Sequence, residues 1–180
     1  MRNSEEILPL HEDEKSSLNH QKSYSVLCAM NSIDWLKETR QRFAISKPQH
    51  FTDFQHCPEC AEHDETLLGS SIDQIGIKEL GNPGWDPMCF CSAEGIEYYF
   101  PALVRLSLDT ASNEDFYFAQ LLFHLEYGGN ENRFLRHCSR SQREFVVAFI
   151  EHMITTYPDE LEENMCATEA LDTYELWKCT

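Results

Sequence analysis

A chain of 180 residues with 42% hydrophobic and 12% aromatic residues, seven glycines and seven prolines has the composition of an ordinary globular domain, long enough to bury about two thirds of its unfolded surface. Fourteen Lys and Arg against 31 Asp and Glu give a net charge of −17, which argues against nucleic acid as a partner because phosphate backbones are bound through basic side chains. The start lacks a basic region followed by an apolar run, and no stretch approaches the ~20 apolar residues that span a bilayer, so a soluble cytoplasmic protein with no membrane partner is expected.

Residues 1–30 mix charges with scattered Leu and Ile without a sustained period and read as a flexible or loosely docked leader, in which 23–30 is apolar enough for a short helix or strand. A globular domain is expected over 31–158. Asn31 or Ser32 as N-cap, Ile33, Leu36 and Phe43 at helical spacing, and the Glu38–Arg42 pair predict a helix over 32–44 that stops before Lys47-Pro48. Next comes the densest run of ligand chemistry in the chain, Gln55-His56-Cys57-Pro58-Glu59-Cys60-Ala61-Glu62-His63-Asp64. The C-P-x-C turn aims two sulfurs at one point, and the helix formers behind it place Cys60 and His63 on one face at i,i+3. His56 precedes the turn and reads as a supporting or surface group.

Gly81-Asn82-Pro83-Gly84 is a strong turn signal. Beyond it, 88–91 reads as a short strand, Ser92-Ala93-Glu94-Gly95 as a turn and Ile96-Glu97-Tyr98-Tyr99-Phe100 as a returning strand, a small β-hairpin near residues 88–100. Pro101 then fits the first position of a helix ending near Asp109. Asn113 caps a further helix that Gly128-Gly129 stops. Ser139 and Gln142 form a capping box ahead of a Phe145, Val146, Phe149, Ile150, Met153 stripe, which Pro158 ends. From 159 to 180 there are seven acids and one base, Lys178, which reads as a solvated acidic tail; Leu171, Tyr174, Leu176 and Trp177 are apolar enough for one short docked helix.

The eight cysteines stand at 28, 57, 60, 89, 91, 138, 166 and 179, and in a reducing compartment close pairs are metal ligands or buried thiols rather than disulfides. Zinc takes four tetrahedral Cys or His ligands, usually as two pairs. Cys57 and Cys60 make one pair. His63 with one of Cys89 and Cys91 makes the second, since residues two apart on a strand face one side. The competing reading is a polar corner filled by reduced thiols. A thioredoxin-like redox pair needs a buried strand before it, which 51–55 is not, and Ala61 after the second cysteine excludes a c-type haem attachment. In a catalytic metal site Glu59, Glu62 or Asp64 would serve as general base. No H-E-x-x-H, G-x-S-x-G, Walker or G-x-G-x-x-G pattern occurs. His124, His137 and His152 lie on or beside apolar helices and read as structural, while Trp85, Tyr98, Tyr99 and Phe100 are core residues or a binding surface.

Two blocks, H-C-x-E-C-x-E-H-D over His56 to Asp64 and W-D-P…E-G…Y-Y-F-P-A-L from Trp85 to Leu103, resemble those of an uncharacterised bacterial domain family of unknown function, over roughly residues 48–157. The resemblance implies a bacterial cytosolic origin and one shared domain, and supplies no reaction. Cys91 departs from the family pattern, where an apolar residue is usual, which favours Cys89 as the fourth ligand. The expectation is therefore a helix-dominated α+β domain, about four main helices around a small hairpin, with zinc held by Cys57, Cys60, His63 and Cys89. Its function is expected to be that of a small acidic binding or regulatory module with a protein partner. The alternatives are a metal-dependent hydrolase using Cys57, Cys60 and His63, and an immunity or inhibitor protein for a basic partner.

Overall fold

The computed structural model describes residues 33–179; the expected leader and the apolar stretch at 23–30 lie outside the described residues. Nine α-helices follow one another: α1 (Trp35–Arg42), α2 (Pro58–Gly69), α3 (Ile77–Leu80), α4 (Ala93–Asp109), α5 (Tyr117–Glu126), α6 (Arg133–His137), α7 (Arg140–Thr156), α8 (Pro158–Glu163) and α9 (Ala167–Lys178), that count being of the described residues. Short 3-10 turns stand at Pro83–Trp85, Pro87–Cys89 and Gly129–Glu131. Among the described residues there is no β-strand, only an isolated antiparallel bridge between Thr52 and Cys91. The expected α+β class and its hairpin are therefore wrong; the described fold is all α.

The physical reason lies in Ser92 and in the burial of the residues on either side of Pro101. Ser92 accepts a hydrogen bond from Gly95 N at 3.0 Å, so the expected hairpin turn is the N-cap and first turn of α4. The aromatic run that reads as a strand is buried on a helical period instead: Ile96, Tyr99, Phe100, Leu103 and Leu106 are all at most 3% exposed. Pro101 sits inside this helix rather than at its start. An interior proline costs about 3 kcal/mol, but the burial of Phe100, Leu103 and Val104, at 0% exposure each, contributes about 1.5–3 kcal/mol per side chain and outweighs it. Gly95 is required by space: a Cβ there would lie 2.9 Å from Cys91 Sγ and 3.2 Å from the Phe51 carbonyl oxygen, where the chain before α2 crosses α4.

Around α4 pack α1, α5 and α6. Phe43 lies 4.4 Å from Phe100 between ring centroids, and Phe134 and Phe145 extend the same aromatic cluster. The capping box opens α7 as expected, with Gln142 Oε1 accepting from Ser139 N at 2.8 Å, and the Phe145 to Met153 stripe is buried throughout. In the acidic C-terminal segment α9 packs on α7 and α5. Ala170, Thr173 and Trp177 form its buried face, and Trp177 Nε1 donates to Leu125 O at 2.9 Å.

Candidate metal centre

α2 is held at both ends before any metal is considered. At its C-terminus Lys47 Nζ donates to Leu68 O at 2.7 Å and Ser70 O at 3.0 Å, and Tyr99 OH donates to Ser70 O at 3.1 Å, so carbonyls that the last turn leaves unpaired are satisfied by a cation and a phenol. In its middle, the buried carboxylate of Asp64 reaches back to the preceding chain. It accepts from Phe51 N at 2.6 Å, Thr52 N at 3.1 Å and His50 Nδ1 at 2.7 Å. Burial alone would push this carboxyl up, but the hydrogen bonds from His50, Phe51 and Thr52 outweigh it and hold the group below its ordinary value. Thr52 Oγ1 donates to Cys60 O at 2.7 Å, so the loop before α2 is stitched to the helix that carries the cysteines. Asp64 is thus committed to structure, which removes one of the carboxylates a hydrolase could use as base.

At the N-terminus Cys57 is the cap residue, and its sulfur accepts from Cys60 N at 3.4 Å. Cys57 Sγ and Cys60 Sγ are 3.3 Å apart, and His56 Nδ1 is 3.6 Å from Cys60 Sγ. The ligand atoms of His56, Cys57 and Cys60 all lie within 4.8 Å of one another and could hold a metal ion. The Cys60 amide, with the Cys60 thiol and His56 after it, draws the Cys57 thiol below its ordinary value, while hydrogen bonding to Cys57 and burial push Cys60 up. The pair is therefore polarised, with Cys57 the more acidic thiol of the two, at the helix N-terminus.

Cys57 and Cys60 are brought together as the spacing suggests, but His63 and Cys89 stand outside their group. Helical side chains lean toward the N-terminus, so Cys60 leans back to Cys57 and His56, while His63 sits about one turn deeper. His63 is 1% exposed, stacked on Phe90 at 4.5 Å and tilted against Trp85 at 4.8 Å. Its Nε2 makes no hydrogen bond and lies 3.9 Å from the Glu59 carboxylate. Cys89 belongs to a different group, with Asp86 and His124. Sequence reasoning put His56 in a supporting place and His124 among the structural histidines; for His56 the missed signal was its adjacency to a capping cysteine.

The described residues contain no helix long and apolar enough to cross a membrane. Residues 37–179 match the model of a family described as a family of unknown function, DUF6714, a match that runs through the acidic C-terminal segment. No curated protein and no solved structure matches the chain.

Proposed function

The chain belongs to this family of unknown function, and from that premise we propose that it is a small acidic binding or regulatory module whose cysteine turn holds a zinc ion. The convergence of His56 Nδ1, Cys57 Sγ and Cys60 Sγ carries the reading. Two Zn–S bonds of about 2.3 Å at a tetrahedral angle span about 3.8 Å between sulfurs, so the 3.3 Å separation needs only a small opening. Two sulfurs and an imidazole nitrogen suit zinc over harder cations. The ion would join the loop residue His56 to the first turn of α2, whose remaining anchors are already made by Asp64 and Thr52.

Three protein ligands leave one position for water or for a side chain of a protein partner. His56 is exposed and Cys57 half-buried, so that position faces outward, which suits a module that engages a partner. Metal analysis of protein purified without added zinc tests the proposal. The turn is expected to hold one equivalent, so that Cys57→Ser and Cys60→Ser each carry one equivalent less than the wild type; folded variants that keep the full wild-type zinc content would end it.

A second reading rests on the polarised thiols 3.3 Å apart: a dithiol oxidised reversibly by a small disulfide. Cys57 attacks it to form a mixed disulfide with release of one thiol, and Cys60 then displaces the other thiol to close the Cys57–Cys60 bond. It predicts a disulfide in mass mapping under mild oxidant and needs no metal. Finding that zinc blocks this oxidation would unite the two readings as a metal-protected switch.

A further inference from the structure

We propose that Asp86, Cys89 and His124 form a second divalent-cation site, open to a cavity, for a borderline metal of the zinc class. Their ligand atoms lie within 4.8 Å of one another, yet they come from separated parts of the chain. Asp86 caps the 3-10 turn that Cys89 ends, and His124 stands on α5. Carboxylate, thiolate and imidazole together are a donor set that borderline divalent ions prefer to magnesium or calcium.

The donors are positioned before any ion arrives. Asp86 Oδ1 accepts from Met88 N at 2.8 Å, and its Oδ2 accepts from Gln120 and, at 2.6 Å, from His124 Nε2. Gln120 is itself fixed by donating to Leu80 O at 2.6 Å. Arg133 Nη2 donates to Met88 O and Cys89 O, both at 2.9 Å, and locks the turn that presents the thiol. Asn132 Nδ2 donates to His124 O at 2.8 Å. Partners of this kind orient metal ligands in built sites. The ion takes the place of the proton shared by His124 and Asp86: their N···O distance opens from 2.6 Å to about 3.3 Å, as bonds of about 2.0 Å to each require. Binding releases that proton and the Cys89 thiol proton to solvent.

A further observation points to a ligand here. Asp86 is 2% and His124 6% exposed, whereas Cys89 borders two cavities, one of about 400 Å³ shared with His124, Tyr127 and Arg133, and one of about 530 Å³ shared with Asp86 and Gln120. Three protein ligands with a fourth position facing a cavity is the arrangement of a metal that handles an exchangeable ligand, in contrast to a closed structural site.

Cobalt(II) titration of the metal-stripped Cys57→Ser/Cys60→Ser chain separates this site from the cysteine turn. One equivalent bound with a thiolate-to-cobalt charge-transfer band is expected, and Cys89→Ser added to that background should abolish the band and weaken binding on the order of 100-fold. Where Cys89→Ser does not fold, protection of Cys89 from alkylation by zinc, read by mass mapping in the Cys57→Ser/Cys60→Ser chain, reports the same bond. No cobalt uptake by the folded double variant, a band that survives Cys89→Ser, or an unprotected Cys89 overturns the proposal, whatever the fate of the cysteine turn.

Discussion

The cysteine turn and the Asp86 cluster are opposite solutions to bringing metal donors together. In the turn, three ligands come from five consecutive residues, and the N-terminus of one helix is enough to gather them. In the cluster, Asp86 and His124 are 38 residues apart in sequence, and only the packing of α5 against the turn ahead of α4 makes them neighbours. The turn can therefore open with little effect on the core. The cluster cannot, because its carboxylate also satisfies buried donors. A local site is easy to read and easy to disturb; an assembled site is neither.

The largest test of this contrast is Asp86→Ala. It leaves His124, Gln120 and the Met88 amide without their buried acceptor, and a loss of about 3–5 kcal/mol in denaturant unfolding is expected for breaking such a network. A loss under about 1 kcal/mol would show that the cluster does not hold the fold. The cysteine turn should respond to metal instead of to mutation. Zinc at 100-fold over the turn's dissociation constant should add about 2.7 kcal/mol to the wild type through the turn, and Cys60→Ser, close to neutral in chelator, should lose that share of the gain.

A smaller effect, on the order of 2 kcal/mol at neutral pH, is expected for Asp64→Asn, which weakens the hydrogen bonds that tie the loop to α2. Here pH gives an internal check. The folded Asp64 carboxyl is held below its unfolded value, so its stabilisation is present above that unfolded value and lost as pH falls through the lowered folded one. Wild type and Asp64→Asn should therefore converge in acid; parallel stability curves down to strongly acid pH would contradict the assignment. The smallest effect is kinetic. Cys57 should be the first of the pair to be alkylated, with a pH midpoint below that of an ordinary thiol, and faster labelling of Cys60 would reverse the polarity assigned to the turn.

What the sequence made legible was local. Ser139 with Gln142 and the stripe from Phe145 to Met153 announce α7 because a capping box and a helical period are properties of neighbours along the chain. The Cys57–Cys60 pairing was legible for the same reason. The hairpin failed where local signals compete: Ile96 to Phe100 is aromatic and β-branched enough for a strand, and Pro101 looks like a helix start, until burial on one continuous face decides for a helix. His124 failed because nothing near it in sequence reveals Asp86. An Asp-Pro step ahead of a short turn is a common capping device, and only the fold turns that cap toward a buried imidazole.

The indole of Trp177, closed over α5 with its N–H on the Leu125 carbonyl, bears on how the polypeptide can be shortened. The residues after Pro158 look dispensable by charge, and a truncation there would be a natural choice for a smaller, less acidic version. Such a version would uncover the faces of α5 and α7 that α9 covers and would strip a neighbour from the helix that carries His124. It should therefore be prone to aggregation and quick to be cut by protease, whereas a tag fused beyond Cys179 should be tolerated.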